Sequence, residues 1–390
     1  MANDKWSDWG SAGVLDPSAD IIPIARAGAN YRTTLEAILA LGRGLRNAVI
    51  GGDFSTNPWQ RGTSFPAIAS GGRSADMWIS FTQDAVFTIT READAPTMAQ
   101  AGRLITHSMK VAVTTADAAM AAADIVNLQT RIEGYRWLGY AQLPLTLRFW
   151  HKHTKTGTYC ISLRNGAYDR SFIAEYTQTT TNTWEEAVIQ IPASPSAGTW
   201  DYANGTGARL DFVLGVGTNS QGVAGWQTGS LVGTANQVNC VDTIGNIFQI
   251  ADVRLFLGEL PNGLVEVRDS QEELALCQRY LPAFRSTSTA DMIPGAGRAT
   301  GSTACVASIT FPVHTRVRVT GIVVSDPTHI SLSTGSGGIA ATAISWGAPS
   351  SQWASFIVIT VAGGLTAGDG YFPYYTNASG SLIFTGAELP

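Results

Sequence analysis

A sugar is gripped by flat rings that stack on the pyranose face, rimmed by arginines, acids and amides that bond its hydroxyls. Loops with that mixture recur along this chain. RNGAYDR carries Tyr168 and Arg170, GTWDYANGTG carries Trp200 and Tyr202, and GWQTGS carries Trp226. Near the end, YFPYYTN gathers Tyr371, Phe372, Tyr374 and Tyr375, preceded by Trp346 and Trp353. Tyr168, Arg170, Trp200, Tyr202, Trp226, Tyr371, Tyr374 and Tyr375 are therefore the candidate glycan-binding residues, although some of these rings must fill cores.

Other chemistry is thinly supported. His151 and His153 stand two apart on a strand pattern, hence on one face, but no third and fourth metal ligand accompanies them, and they read as surface histidines. Glu185 and Glu186 are adjacent and point to opposite strand faces, while Glu272 and Glu273 fall at a helix start, where they serve capping. Neither pair is the facing couple that glycoside hydrolysis needs. G-x-S-x-G, H-E-x-x-H and G-x-x-x-x-G-K are all absent, so catalysis is not expected. The stretch GGDFSTNPWQRGTSF combines Asp53, Arg61, Phe54, Trp59 and Phe65; with Asp76 and Trp78 it reads as framework, aromatic groups packing a core and charges tying a turn.

The elements that position these residues follow from composition and period. With 390 residues, 45% apolar and only 14% charged, and with 41 glycines, the chain suits two or three domains of short strands and tight turns. A net charge of −5 without a basic run gives no footprint for nucleic acid. Cys160, Cys240, Cys277 and Cys305 are scattered singly and read as buried free thiols, which fits folding in a reducing cytoplasm. No stretch approaches the roughly 20 apolar residues of a membrane span, and the N-terminus lacks a signal-peptide pattern.

Four segments emerge. Residues 1–46 begin extended; Thr33 with Glu36 then predicts a capped helix carrying Leu35, Ile38 and Leu39 on one side. Residues 47–268 hold period-2 runs such as LTLRFWHKH, TYCISLRN, WEEAVIQIP, ARLDFVLGVG and IFQIADVRLFLG, the pattern of a two-sheet sandwich. Between them, the Ala-rich TTADAAMAAADIVNLQTRIEGYRWL predicts a short helix or irregular loop. Residues 269–282 predict a connecting helix capped by Ser270 and Glu273 and stopped by Pro282. Residues 283–390 hold six strand candidates, read as a second β-sandwich. The fold class is all-β.

NAVIGGDFSTNPWQRGTSF, SADMW, LTLRFWHKHTKTGTYCISLRN, YDRSFIAEYTQTTTNTWEEAVIQIP, GTW, FQIADVRLFLGE and QEELALCQRY, in this order, resemble bacteriophage virion fibre proteins with a jelly-roll body like a carbohydrate-binding module. The resemblance covers roughly residues 47–282, and DIIPIARAGANYRTTLEAILA looks like the attachment segment that precedes such bodies. It implies a virion subunit assembled in the host cytoplasm, a homotrimer that joins other virion proteins through residues 1–46 and binds a host surface glycan; separately, the aromatic cluster YFPYYTN beside Gly- and Ser-rich loops makes residues 283–390 a candidate receptor-binding domain. The resemblance also implies a structural calcium between Asp53 on the opening stretch and Asp252 on the last strand of the body. A capsid decoration or head-fibre protein, and a capsule depolymerase, are the alternatives.

Overall fold

The computed structural model describes residues 21–26, 29–34, 46–258, 267–333, 335 and 337–390. Its first element is an antiparallel hairpin, Ile21–Arg26 against Ala29–Thr34. Thr33 pairs with Ile22 inside this hairpin rather than capping a helix. Ile21, Ile22, Ile24, Tyr31, Thr33 and Thr34 are β-branched or aromatic and favour extended backbone. The rest of the expected helix, residues 35–45, lies outside the described residues.

The body is a sandwich of two antiparallel sheets. One runs, in spatial order, Gly225–Thr228, Arg170–Gln178, Gly157–Asn165, Thr206–Val216, Ile125–Glu133, Trp78–Phe81 and Gly72–Arg73. The other runs Glu185–Ile191, Leu145–His153, Ile247–Leu257, Ser108–Thr115, Val86–Glu92 and Ser64–Phe65. Alternation sends Leu145, Leu147 and Phe149 from one sheet and Tyr159, Ile161, Leu163, Leu210 and Phe212 from the other into a shared core. Trp78 is fully buried there, with Phe54 and Phe212 at ring-centroid distances of 5.4 and 5.8 Å. The opening stretch is thus framework. Within the Ala-rich segment only Gly134–Trp137 is a single helical turn; Ile125–Glu133 is a strand, because Val126, Leu128 and Ile132 alternate with polar residues.

The connecting helix is Ser270–Gln278, and its cap is Asp269, whose carboxylate accepts from the N–H of Gln271 and Glu272 at 2.8 Å each. Glu273 does not complete a capping box. Its buried carboxylate accepts from Gly51 N–H and pairs with Arg268 at 2.9 Å, fastening the helix to the opening stretch.

Residues 283–390 form a six-stranded closed barrel, Gly295–Ala299, Ala304–Thr310, Ala354–Val361, Gly338–Ser350, Ile330–Ser333 and Gly370–Tyr375, plus a three-stranded sheet of Ala283–Arg285, Ser381–Thr385 and Gly321–Val324. The expected second sandwich is corrected to a barrel. The 13-residue strand Gly338–Ser350 is long enough to pair on both sides and close the sheet on itself, which removes exposed edges. The last residues return to the body. Arg61 and Arg73 pair with Glu388, and Arg73 and Arg131 each donate to the Leu389 carbonyl at 2.9 Å. Arg316 bridges the same seam, donating to the carbonyls of Ala387, Glu388 and Asn204 at 2.7–2.8 Å.

All four cysteines are buried free thiols. Among the described residues no helix is long and apolar enough to cross a membrane.

Candidate functional site

The outward face of the seven-stranded sheet is polar in the middle and held rigid. Register places Arg164, Arg209 and Arg131 side by side on three neighbouring strands, and Ser162, Asp211 and Gln129 side by side two residues along. Asp211, with no exposed surface, accepts five bonds: from Asn127 Nδ2 at 2.9 Å, Gln129 Nε2 at 2.7 Å, Ser162 Oγ at 3.1 Å, and Arg164 Nε and a terminal nitrogen at 2.9 Å each. Arg131 donates to Gln129 Oε1 at 2.7 Å. Only Arg164 bonds the buried carboxylate directly; Arg131 and Arg209 are linked to it through Gln129, whose Oε1 accepts from both and whose Nε2 donates to Asp211. Burial, with Arg209 alongside, lowers the Arg131 pKa to about 10, and burial lowers that of Arg209 as well.

Tyr168 stands over this row. Its ring centroid is 4.4 Å from the Arg209 guanidinium carbon and 4.9 Å from that of Arg164, and the residue is 37% exposed. Its backbone is left-handed, with φ of 61°, a conformation that costs a non-glycine residue about 1–3 kcal/mol. Asn165 holds the turn, its side-chain oxygen accepting from the N–H of Asp169 and Arg170 at 3.0 and 3.1 Å. Tyr168 is the exposed part of this face: Arg164, Arg209 and Arg131 beneath it are 4%, 6% and 8% exposed, and Arg131 also holds the Leu389 carbonyl, so the ring is what a hydroxyl-rich or acidic ligand meets and the guanidinium groups act on it from below.

The remaining ring candidates are not on this face. Trp226 pairs in register with the inward-facing Phe172, so it looks into the sandwich, and its Nε1 donates to the Pro192 carbonyl at 2.9 Å. Trp200 stacks on buried Trp137 at 5.7 Å and meets Trp226 edge-on at 6.1 Å. Together with half-buried Tyr202 they close the open side of the core. Arg170, two residues before Phe172, lies on the core side of its strand, beside Gly198.

The late tyrosine cluster is corrected too. Gly370–Tyr375 alternates, so Tyr371 and Tyr375 point into the barrel at 6% and 1% exposure, and Tyr375 donates its hydroxyl to the Phe284 carbonyl at 2.8 Å. Among the aromatic residues of that run only Phe372 is exposed, while Tyr374 is half-buried over Gly338.

Asp53 and Asp252 do come together, as the calcium expectation requires, but Arg103 stands between them. It donates to Asp53 Oδ2 at 2.8 Å and to both oxygens of Asp252. Arg254 adds a bond to Asp252 Oδ1 at 2.7 Å. The guanidinium of Arg103 takes the position of the expected cation.

His151 and His153 are buried rather than at the surface. His153 stacks on Phe248 at 4.1 Å, and His151 Nδ1 bonds Gln178 Oε1 at 2.9 Å. Burial lowers both pKa values, that of His153 far below the usual histidine range. Glu185 accepts from the N–H of Thr179 and Thr180, whereas Glu186 pairs with Arg148, so the two acids serve separate contacts.

Arg131, Arg164, Arg209, Asp211, Gln129 and Asn127 were not singled out from the sequence. Their signal was present as the polar half of IVNLQTRIE, ARLDFVLGV and TYCISLRN, a half that normally reads as solvated surface.

No protein-family model matches the chain, and no curated protein does. Among solved structures, the chain is similar to a CBM61 module in complex with beta-1,4-galactotriose, at 11% identity over 55% of this chain and 99% of that one, with a TM-score of 0.29. It is also similar to a CBM4 structure, at 9% identity over 53% and 99%, with a TM-score of 0.28. A family 11 carbohydrate-binding module from Clostridium thermocellum, in complex with a mixed-linked tetrasaccharide, matches at 10% identity over 51% and 98%, with a TM-score of 0.27.

Proposed function

We propose that the chain is a non-catalytic glycan-binding subunit of a phage virion fibre, contacting its saccharide through the outward face of the seven-stranded sheet. The observation that carries the reading is Tyr168, a partly exposed ring fixed in a left-handed turn over Arg164 and Arg209. A ring held this way loses little conformational freedom on binding, and the positive charge of the buried guanidinium groups beneath it favours glycans that carry carboxylates. The virion setting, the homotrimer and attachment through residues 1–46 rest on the sequence resemblance; three linked copies would raise a weak single-site affinity.

The test is binding of the purified chain to neutral and acidic glycan panels. Tyr168→Ala and Arg209→Met should each reduce binding at least about tenfold while the unfolding temperature of Tyr168→Ala stays within a few degrees of the parent. Unchanged binding in both variants refutes the site. Immunogold labelling of virions tests the setting, and release of new reducing ends from host polysaccharide would favour the depolymerase alternative.

A further inference from the structure

Two connections cross between the sheets at one end of the sandwich. Residues 82–85 lead from Trp78–Phe81 to Val86–Glu92, and residues 116–124 lead from Ser108–Thr115 to Ile125–Glu133. The first carries Asp84; the second begins near Asp117 and ends on Asp124. One carboxylate oxygen from each of the three lies within 4.8 Å of the others. Asp84 is exposed, whereas Asp117 and Asp124 are each only 7% exposed.

The backbone fixes them there. Asp117 N–H donates to the Val241 carbonyl at 2.8 Å, and its own carbonyl accepts from Asn239 Nδ2 at 2.8 Å. Asp124 Oδ2 accepts from Ala121 N–H at 2.6 Å, and Gln83 Oε1 accepts from Ile125 N–H at 3.0 Å, tying one connection to the other.

A second, separate observation points to something these acids hold. Asp117 Oδ2 is buried and has no hydrogen-bond partner, a state that buried carboxylate oxygens almost never keep. No ion pair among the described residues involves any of the three acids.

We propose that Asp84, Asp117 and Asp124 form a calcium site that pins the two crossing connections together. Calcium takes six to eight oxygens at about 2.3–2.6 Å in adaptable geometry, whereas magnesium demands a near-ideal octahedron at about 2.0–2.1 Å. Three hard carboxylate ligands drawn from loops, with water completing six to eight positions, suit the more adaptable ion. The site is separate from Asp53 and Asp252, whose charge Arg103 meets.

The experiment is calorimetric titration of CaCl2 into the chelator-treated full chain, paired with thermal unfolding in calcium and in EDTA. One calcium per chain should bind, and calcium should raise the unfolding temperature. Asp117→Asn should abolish uptake, and Asp84→Asn, an exposed change that leaves folding intact, should weaken it on the order of tenfold. Asp53→Asn should leave it unchanged. Absence of calcium uptake by the parent chain, or equal uptake in Asp84→Asn and Asp117→Asn, overturns the proposal. So does an Asp117→Asn variant more stable than the calcium-saturated parent, which would mean that the acids share a proton.

Discussion

Replacing Asp211 by Asn isolates what holds the polar face together. The carboxylate has no exposed surface, accepts five bonds, and sets the only acid of its two rungs against Arg164. Oδ1 faces Asn127, Gln129 and Arg164, and Oδ2 faces Ser162 and Arg164, so either orientation of the amide turns its nitrogen toward an arginine donor. At the same time Arg164, with a side chain 5% exposed, is left charged beside Arg209 and without its counter-ion. Removing one partner of a buried pair costs about 3–5 kcal/mol. For a unit the size of this body, that is a fall of about 6–20 °C in unfolding temperature. Urea denaturation followed by tryptophan fluorescence measures it, with a combined Asp211→Leu, Arg164→Met variant as the control. That double change should recover most of the loss, since apolar groups leave no unpaired charge behind. A loss below about 1 kcal/mol for Asp211→Asn would refute the view that this network is a closed, desolvated frame.

Trp78→Ala should cost about 3–5 kcal/mol, almost all of it from the cavity, because the Gly51 carbonyl that loses the indole bond keeps its bond from Asn57 Nδ2; an unshifted denaturation midpoint would place the ring at the surface. Tyr375→Phe should cost about 0.5–1.5 kcal/mol through the lost bond to Phe284, whereas Tyr375→Ser should cost several times more, and equal effects on thermal unfolding would contradict an inward ring. His153 has a folded-state pKa depressed by burial, so the unfolded chain takes up a proton first and stability falls as pH drops below about 6.5. Its share of the loss between pH 7 and pH 5 is about 2 kcal/mol, and urea midpoints that stay flat across that interval would show the imidazole to be accessible.

The alternation in LTLRFWHKH or ARLDFVLGVG was enough to identify strands and to sort each into two faces. It did not say what lies on the far face. Thr206–Val216 is buried at every position, because Val213 and Val216 meet Val232 at one end while Arg209 and Asp211 sit in the arginine row at the other. The same limit explains His151 and His153, which read as solvated from their types yet face Phe149, Tyr159 and Phe248. In YFPYYTN the period was visible, but composition favoured an exposed cluster; Tyr371 and Tyr375 share the parity that packs inward, and their hydroxyls reach backbone partners at Thr366 and Phe284. Arg103 lies in a short connection remote in sequence from Asp53 and Asp252, so nothing local marked it as their counter-ion. Thr33 shows the converse, a locally plausible cap overridden by pairing with Ile22.

The return of residues 387–389 to the body alters how the chain carries load. The barrel is joined to the sandwich through the helix at Ser270–Gln278 and again, at the other end of its own sequence, through Glu388 and Leu389. A pull on the barrel is therefore divided among several anchors in parallel, with Arg285 on the Trp59 and Gln60 carbonyls and Arg316 on the Asn204 carbonyl beside these two. Arg61, Arg73 and Arg131 of the body grip the returning segment at Glu388 and Leu389, so tension loads those bonds together instead of peeling them one by one. Removing Glu388 and Leu389 would leave every strand of the barrel in place and leave the joint to the helix, to Arg285 on the Trp59 and Gln60 carbonyls and to Arg316 on the Asn204 carbonyl.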